Sequence, residues 1–180
     1  MVAHPPSLAR RLATALLALL ALAPSPTLAN DPPALIDLDG RPMVEGLDRG
    51  DVIVVLWASW SPRCRDIALR LEPLIERWSP RAKVISIAFQ EDPETVRRFL
   101  EQRSSGPEAT ERIAQKTRID TRGAFSKGHG LSTLPSLLVL RDGRPAFRGQ
   151  LPTDPHSVIE DALAAPSEGV PETPTDREMG

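Results

Sequence analysis

Residues 54–64 read Val-Val-Leu-Trp-Ala-Ser-Trp-Ser-Pro-Arg-Cys. They continue an apolar, β-branched run that starts at Val52 and is typical of a strand buried on both faces of a largely parallel sheet. Ser61 and Pro62 then favour the start of a helix, because serine caps helix N-termini and proline fits the first helical position. The stretch therefore places Cys64, the one cysteine of the chain, where a central strand turns directly into a helix.

Helices and strands alternate after this turn. Apolar residues at helical spacing predict a helix as far as Trp78. Residues 84–89 form a second apolar run, typical of a buried strand, and a helix is predicted to open at residues 92–94. This order is a strand-helix-strand unit and indicates an α/β domain.

Two Asp-Gly pairs predict β-hairpins. One pair lies at residues 142–143, inside a hairpin predicted over 136–148. The other lies at residues 39–40 and predicts an additional N-terminal hairpin within 34–44.

The remaining elements are short or lie at the end of the domain. Within 104–130, we predict a short strand over 117–120 and a short helix over 124–129. A cap at residues 153–155 predicts the closing helix.

The two ends of the chain differ in composition from its middle. Residues 1–29 combine two arginines, an apolar stretch and a small-residue exit, the pattern of a cleaved secretory signal peptide. The apolar stretch is too short to span a bilayer comfortably, so we predict no stable membrane span after cleavage. Residues 166–180 are rich in Pro, Glu, Thr and Asp and are predicted to form a disordered tail. One domain, residues 34–165, lies between these ends and is large enough for one core.

The net charge and the number of cysteines exclude several kinds of function and site. The formal net charge is −2 at pH 7 and becomes −4 without residues 1–29, so we predict no nucleic-acid binding. A lone cysteine excludes an internal disulfide. One cysteine and His129 are too few for a metal site, so we predict no metal and no cofactor. His129 is then expected in a solvated loop, and His156 on a helix surface.

Two motifs carry a resemblance to a known family. Residues 56–60, Leu-Trp-Ala-Ser-Trp, are similar to the run before the paired cysteines of periplasmic thioredoxins of the TlpA/ResA type. Residues 132–136, Ser-Thr-Leu-Pro-Ser, resemble the cis-proline loop of the same group. The resemblance covers about residues 34–164. It implies a thioredoxin fold, a central mixed sheet with flanking helices and an N-terminal β-hairpin extension, and a periplasmic or secreted location.

The chain departs from that family at the residues that carry out the family's thiol-disulfide chemistry. The attacking cysteine of its Cys-x-x-Cys motif falls on Ser61, and the resolving cysteine falls on Cys64. A polar buried residue of the family is Val55 here, and its proton-handling glutamate is Ile67. A serine hydroxyl cannot form a disulfide. The resemblance therefore implies a degenerate Ser-x-x-Cys site without dithiol turnover.

Ser61 has two interpretations. As an N-cap, its hydroxyl would accept a hydrogen bond from the backbone N–H of Cys64. As a catalytic serine, it would need a histidine or an acid at a recognisable spacing, which the sequence does not show. The cap is the favoured interpretation.

Cys64 also has two interpretations. As the remnant of a resolving position, it is a small buried hydrophobe. As a reactive thiol, it would be helped by a helix dipole and by Arg63 and Arg65. Its spacing from Ser61 is similar to that between the hydroxyl and the peroxidatic cysteine of peroxiredoxins. A disulfide-linked dimer through Cys64 is a third expectation.

The candidate binding surface combines the turn with the proline loop. Trp60 is expected to be an exposed contact residue, whereas Trp57 and Trp78 are expected in the core. Pro135 is a structural cis-proline, a backbone edge for an extended peptide, or both. The predicted binding residues are Trp60, Pro62, Arg63, Leu134 and Pro135.

These observations lead to one function and one alternative. The leading hypothesis is an exported thioredoxin-fold protein, linked to thiol-disulfide homeostasis, that binds other exported proteins without dithiol turnover. The alternative is a monothiol reductase or peroxidase, with Cys64 and Ser61 as candidate catalytic residues.

Overall fold

The computed structural model describes residues 35–43 and 46–165; the predicted signal peptide and C-terminal tail lie outside them. The strands are β1 (Leu35–Ile36), β2 (Pro42–Met43), β3 (Asp51–Trp57), β4 (Lys83–Phe89), β5 (Thr117–Asp120), β6 (Ser136–Arg141) and β7 (Arg144–Gln150). The α-helices are α1 (Ile67–Trp78), α2 (Pro93–Arg103), α3 (Pro107–Lys116), α4 (Ala124–Gly128) and α5 (Pro155–Ala164). Within the described part of the chain, no helix is long and apolar enough to cross a membrane.

The seven strands form one mixed sheet in the order β2-β1-β5-β4-β3-β6-β7. Strand β3 pairs in parallel with β4 and antiparallel with β6. Strand β5 is parallel to β4, and the N-terminal hairpin joins the sheet through β1, antiparallel to β5. The predicted fold class, including the N-terminal hairpin, is confirmed.

Strand β3 is buried on both faces, as its composition predicts. The odd-numbered residues 53–57 belong to one buried apolar cluster, and the even-numbered residues 52–56 belong to another. This division follows from the alternation of side chains along a strand. The first cluster also contains residues of α1, α2, α3 and α5. The turn after β3 therefore begins inside a layer of helices.

The β6–β7 hairpin turns at Asp142 and Gly143, as predicted. Both residues have positive φ, 48° and 76°, which a two-residue hairpin turn requires. A Cβ on Gly143 would lie 3.1 Å from the Cα of Asp48, so this position also demands a close backbone approach. The Asp142 carboxylate accepts the N–H of Gly50 at 2.9 Å and ties the turn to the start of β3.

Helix α3 is not predicted by the sequence pattern. Its buried residues are Ala109 and Ile113, so its apolar periodicity is weak. Pro107 in the first turn, followed by Glu108, is a start signal that could have identified it. The helix runs directly into β5, whose predicted position, 117–120, is correct.

His156 lies partly buried against α1, not on the surface of α5. Its Nδ1 accepts a hydrogen bond from the indole N–H of Trp78 at 3.0 Å, and the two rings are stacked. The surface expectation is wrong because a single helix does not reveal which of its polar positions meets another helix. Trp78 itself is fully buried, as expected.

Candidate functional site

The candidate site lies at the carboxyl end of β3, where the chain leaves the sheet. The N–H of Ser61 donates to the carbonyl of Ala58 at 3.2 Å, and the N–H of Cys64 donates to the carbonyl of Ser61 at 2.9 Å. A 3₁₀ turn covers Pro62–Cys64, and α1 begins only at Ile67. Cys64 therefore lies in a tight turn before the helix, not in the first turn of α1. We call residues 58–64 the Trp60 turn.

Cys64 is a free and fully buried thiol. It belongs to the same buried apolar cluster as Val55 and Ile67, the two positions where the resembled family has polar groups. Burial is the largest influence on the thiol and raises the pKa of Cys64 above its ordinary value. The thiol is therefore protonated at neutral pH, a state in which it is a poor nucleophile.

Weaker influences reach Cys64 from four neighbours. Hydrogen bonds from the backbone of Ala58 and the side chain of Ser61 lower the pKa of the thiol. The negative charge of Glu91 raises this pKa, and the positive charge of Arg70 lowers it. Together they do not reverse the effect of burial.

The arginines that flank Cys64 play a smaller part than the sequence suggests. Arg63 and Arg65 are exposed, and neither is among the groups that shift the pKa of Cys64. The positive charge that lowers the pKa of Cys64 is that of Arg70 on α1, whose guanidinium donates to the carbonyl of Pro152. This geometry does not support activation of the thiol by the flanking arginines.

Ser61 is buried, with 8% of its surface exposed, and it begins the 3₁₀ turn. Its hydroxyl makes no capping bond to the backbone, so the predicted cap is wrong. In a 3₁₀ turn the N–H of residue i+3 reaches the carbonyl of residue i, which leaves the hydroxyl uninvolved. The Ser61 side chain acts instead on the thiol of Cys64, whose pKa it lowers.

Glu91 is a candidate functional residue that the sequence reasoning missed. It follows β4, the parallel neighbour of β3. Its Oε1 accepts hydrogen bonds from the backbone N–H of Ser59, at 3.0 Å, and from the Ser59 hydroxyl. Burial raises the pKa of Glu91, although the bonds from Ser59 oppose this shift. The available signal was topological, since the carboxyl ends of neighbouring parallel strands meet at one edge of a sheet.

Trp60 and Leu69 are the exposed large apolar side chains of the described residues, with 59% and 53% of their surfaces exposed. The Trp60 ring lies beside Phe89, at the end of β4, with ring centroids 6.4 Å apart. Pro62 and Arg63 are exposed on the same turn. We call Trp60, Pro62 and Arg63 the Trp60 surface, which lies on the turn that carries the buried thiol.

The sheet brings the proline loop to the same edge. Ser136 pairs with Leu56 of β3, so Pro135 lies beside the end of β3 from which the Trp60 turn departs. The Leu134–Pro135 peptide bond is cis. Pro135 is buried and its carbonyl accepts the N–H of Leu151, whereas Leu134 is half-buried. The carbonyl of Pro135 is thus already engaged within the sheet, and the role of this loop in binding stays a prediction.

His129 follows α4 as its C-cap residue, outside the helix as expected, and is half-exposed rather than fully solvated. Its ring lies 4.5 Å from the ring of Phe125, between centroids, and burial lowers the pKa of His129. Among residues 35–43 and 46–165, no group of three or more His, Cys, Asp or Glu side chains is placed to hold a metal ion.

Solved structures similar to this chain include three thioredoxin-like proteins. A secreted Mycobacterium tuberculosis disulfide oxidoreductase, homologous to E. coli DsbE, aligns with a TM-score of 0.55 and 16% identity, over 72% of this chain and 92% of that one. StoA from Bacillus subtilis aligns with a TM-score of 0.54 and 16% identity, over 71% and 96%. A thioredoxin-like protein from Aeropyrum pernix aligns with a TM-score of 0.54 and 18% identity, over 86% and 98%.

No protein family model and no curated protein matches the sequence. At these identities, the structural likeness establishes the fold and nothing finer. The chain is a thioredoxin-fold protein whose one cysteine, Cys64, is buried in the turn that follows strand β3.

Proposed function

We propose that this chain is an exported thioredoxin-fold protein that serves thiol-disulfide homeostasis by binding other exported proteins, without dithiol turnover. The similar structures include one named as a secreted Mycobacterium tuberculosis disulfide oxidoreductase and one named as an exposed lipoprotein thioredoxin from Streptococcus pneumoniae. Those names describe the relatives, and they support the redox setting and the export proposed for this chain. The signal-peptide pattern of residues 1–29 supports export independently.

The observation that carries the proposal is the contrast in exposure within one turn. Cys64 is fully buried, while Trp60 is 59% exposed. Disulfide exchange needs an accessible thiolate, which burial opposes. An exposed tryptophan, by comparison, is a common anchor in protein recognition. The turn is therefore better suited to contact than to sulfur chemistry.

A reduction assay tests the loss of turnover. We expect the purified protein to leave the rate of insulin disulfide reduction by dithiothreitol unchanged, because it lacks an attacking cysteine. Catalysis above the background rate that disappears in Cys64→Ala would contradict the proposal.

A binding assay tests the contact role. The probe is carboxymethylated insulin B chain, an extended peptide whose cysteines are blocked, and the signal is the fluorescence anisotropy of a fluorescein label on this peptide. We expect saturable binding that weakens at least about tenfold in Trp60→Ala, as for an aromatic anchor. Met43→Ala, on β2 at the far edge of the sheet, is the matched control and should bind normally. Equal binding by both variants would refute the contact role of Trp60.

The alternative, a single-cysteine redox enzyme, has one observation in its favour. The hydrogen bond from the Ser61 side chain lowers the pKa of Cys64. Burial opposes it and is the larger influence, so we expect alkylation of Cys64 to be slow at neutral pH and to rise only in alkali. Rapid alkylation at pH 7, or a sulfenic acid after one equivalent of peroxide, would favour the enzyme instead.

A further inference from the structure

Glu91 joins the end of β4 to the Trp60 turn. Its Oε1 accepts two hydrogen bonds from Ser59, one from the backbone N–H and one from the hydroxyl. Two residues earlier, Phe89 packs its ring beside the ring of Trp60. The end of one strand thus holds two consecutive residues of the turn that follows the neighbouring strand.

Ser59 links this contact to the surroundings of Cys64. The preceding residue, Ala58, provides the backbone hydrogen bond to the thiol, and its carbonyl accepts the N–H of Ser61. A displacement of Ser59 would therefore move both groups that contact the sulfur. The contact between Glu91 and Ser59 is thus connected through Ala58 to the surroundings of the thiol.

The second carboxylate oxygen of Glu91 is unusual. Oε2 is buried and accepts no hydrogen bond from any of the described residues. A buried oxygen without a partner costs free energy, so the stability of the fold does not explain this carboxyl group. Burial also raises the pKa of Glu91, and the carboxyl group therefore calls for a role at the turn.

Two charged side chains act on the thiol from different elements. Glu91 acts from the end of β4, and Arg70 acts from α1. Asp92 lies beside Glu91 in sequence and acts on it in the same direction as burial. Of these, only Glu91 combines a charge that disfavours the thiolate with direct hydrogen bonds to the turn.

We propose that Glu91 is the positioning residue of this site: its two hydrogen bonds to Ser59 hold the Trp60 turn in place around Cys64, and its carboxyl group keeps the thiol out of redox chemistry. The inference rests on the proposed function, since it explains how a thioredoxin-fold protein keeps a cysteine out of redox chemistry. It attributes the low reactivity expected of Cys64 to the Glu91 carboxyl group as well as to burial.

The pH profile of Cys64 alkylation by iodoacetamide, measured on the folded full chain, tests the effect of the charge. Glu91→Gln keeps an oxygen that can accept from Ser59 but removes the charge, so the midpoint of alkylation should move to lower pH. Glu101→Gln removes an exposed carboxylate of α2 and should leave the midpoint unchanged. A midpoint in Glu91→Gln that equals the wild-type value, or exceeds it, would overturn the proposal.

The hold on the turn is tested with Glu91→Ala. Loss of both hydrogen bonds should raise the alkylation rate of the thiolate about tenfold relative to wild type, and it should raise acrylamide quenching of Trp60. Glu101→Ala should change neither quantity. Should Glu91→Ala fail to fold, the comparison of Glu91→Gln with Glu101→Gln still decides the case.

The two proposals fail in different assays. Insulin reduction by the wild-type protein would refute the proposed function without altering the alkylation midpoints. Unchanged midpoints in Glu91→Gln would refute the assignment of Glu91 and leave the reduction and peptide-binding results as they are.

Discussion

Trp60 and Cys64 lie four residues apart on one turn, yet they face opposite environments. The tryptophan is 59% exposed, whereas the cysteine is fully buried among apolar side chains. The outward side of the turn presents an exposed aromatic ring, and the inward side is part of the core. The comparison teaches that one short turn of a thioredoxin fold can combine an exposed aromatic side chain with a buried thiol, because the two lie on different faces of the same few residues.

The largest difference in stability should separate two tryptophan variants, one on the buried side of this segment and one on its exposed side. Trp57→Ala removes a fully buried ring and leaves Ser86 Oγ without its 2.7 Å hydrogen bond. We expect a loss of about 3–5 kcal/mol in the free energy of unfolding, measured by urea denaturation. Trp60→Ala should change it by no more than about 0.5 kcal/mol. Similar losses in both variants would break the comparison.

An acidic side chain introduced on the buried side of the turn should also destabilise the protein. Ile67→Glu places a carboxyl group where a fully buried apolar side chain now packs, and we expect a loss of about 3 kcal/mol. Ile67→Leu is the size-matched control and should lose less than about 1.5 kcal/mol. Equal stability of the two variants would mean that the inward side still accommodates a polar group.

Alkaline pH should reveal the protonated thiol. The ordinary pKa of a thiol is 9.0, and burial raises the pKa of Cys64 in the folded protein. The folded state therefore holds its proton to higher pH than the unfolded state does. The stabilising contribution is complete below pH 9.0 and is lost as pH rises through the folded pKa, at about 1.4 kcal/mol per pH unit.

The measurement is the difference in unfolding free energy between wild type and Cys64→Ala as pH increases. This difference should become less favourable to wild type above pH 9.0. A difference that does not vary with pH would mean that the folded thiol ionises like an unfolded one. The Cys64 thiol would then not be shielded from water.

The smallest expected change in stability follows from Ser61→Cys. The Ser61 side chain is near enough to the thiol of Cys64 to lower its pKa, so a second sulfur there should form a disulfide on mild oxidation, seen as loss of free thiol. The loop closed is very short, so the gain should be well below the ~3 kcal/mol of a 15-residue loop. Ser59→Cys is the control, since the Ser59 side chain meets Glu91 instead. Turnover should remain poor while Val55 and Ile67 stay apolar.

Most of the architecture could be predicted from local pattern. The apolar run of β3, the Asp-Gly turn of the β6–β7 hairpin and the aspartate cap of α2 all lie where the sequence places them. Each of these signals depends on neighbours within a few residues. Helix α3 was missed because it buries only two residues and so has little periodicity to read.

The site could be predicted less well, because its properties depend on distant residues. The capping role of the Ser61 hydroxyl was wrong, since the first turn is a 3₁₀ turn and its backbone carbonyl makes the bond. The bond between Glu91 and Ser59 joins residues 32 positions apart. The bond between Trp78 and His156 joins residues 78 positions apart. Neither pair has a signature within its own segment.

The sequence by itself determined the order of strands and helices and placed Ser61, Pro62 and Cys64 at the turn after β3, because strands, turns and residue identities are local facts. Only the tertiary structure decided that Cys64 is sealed in the core, that Trp60 faces outward and that Glu91 reaches the turn. Burial and pKa depend on what packs around a group, and here that packing comes from strand β4 and helix α1 as much as from the turn itself.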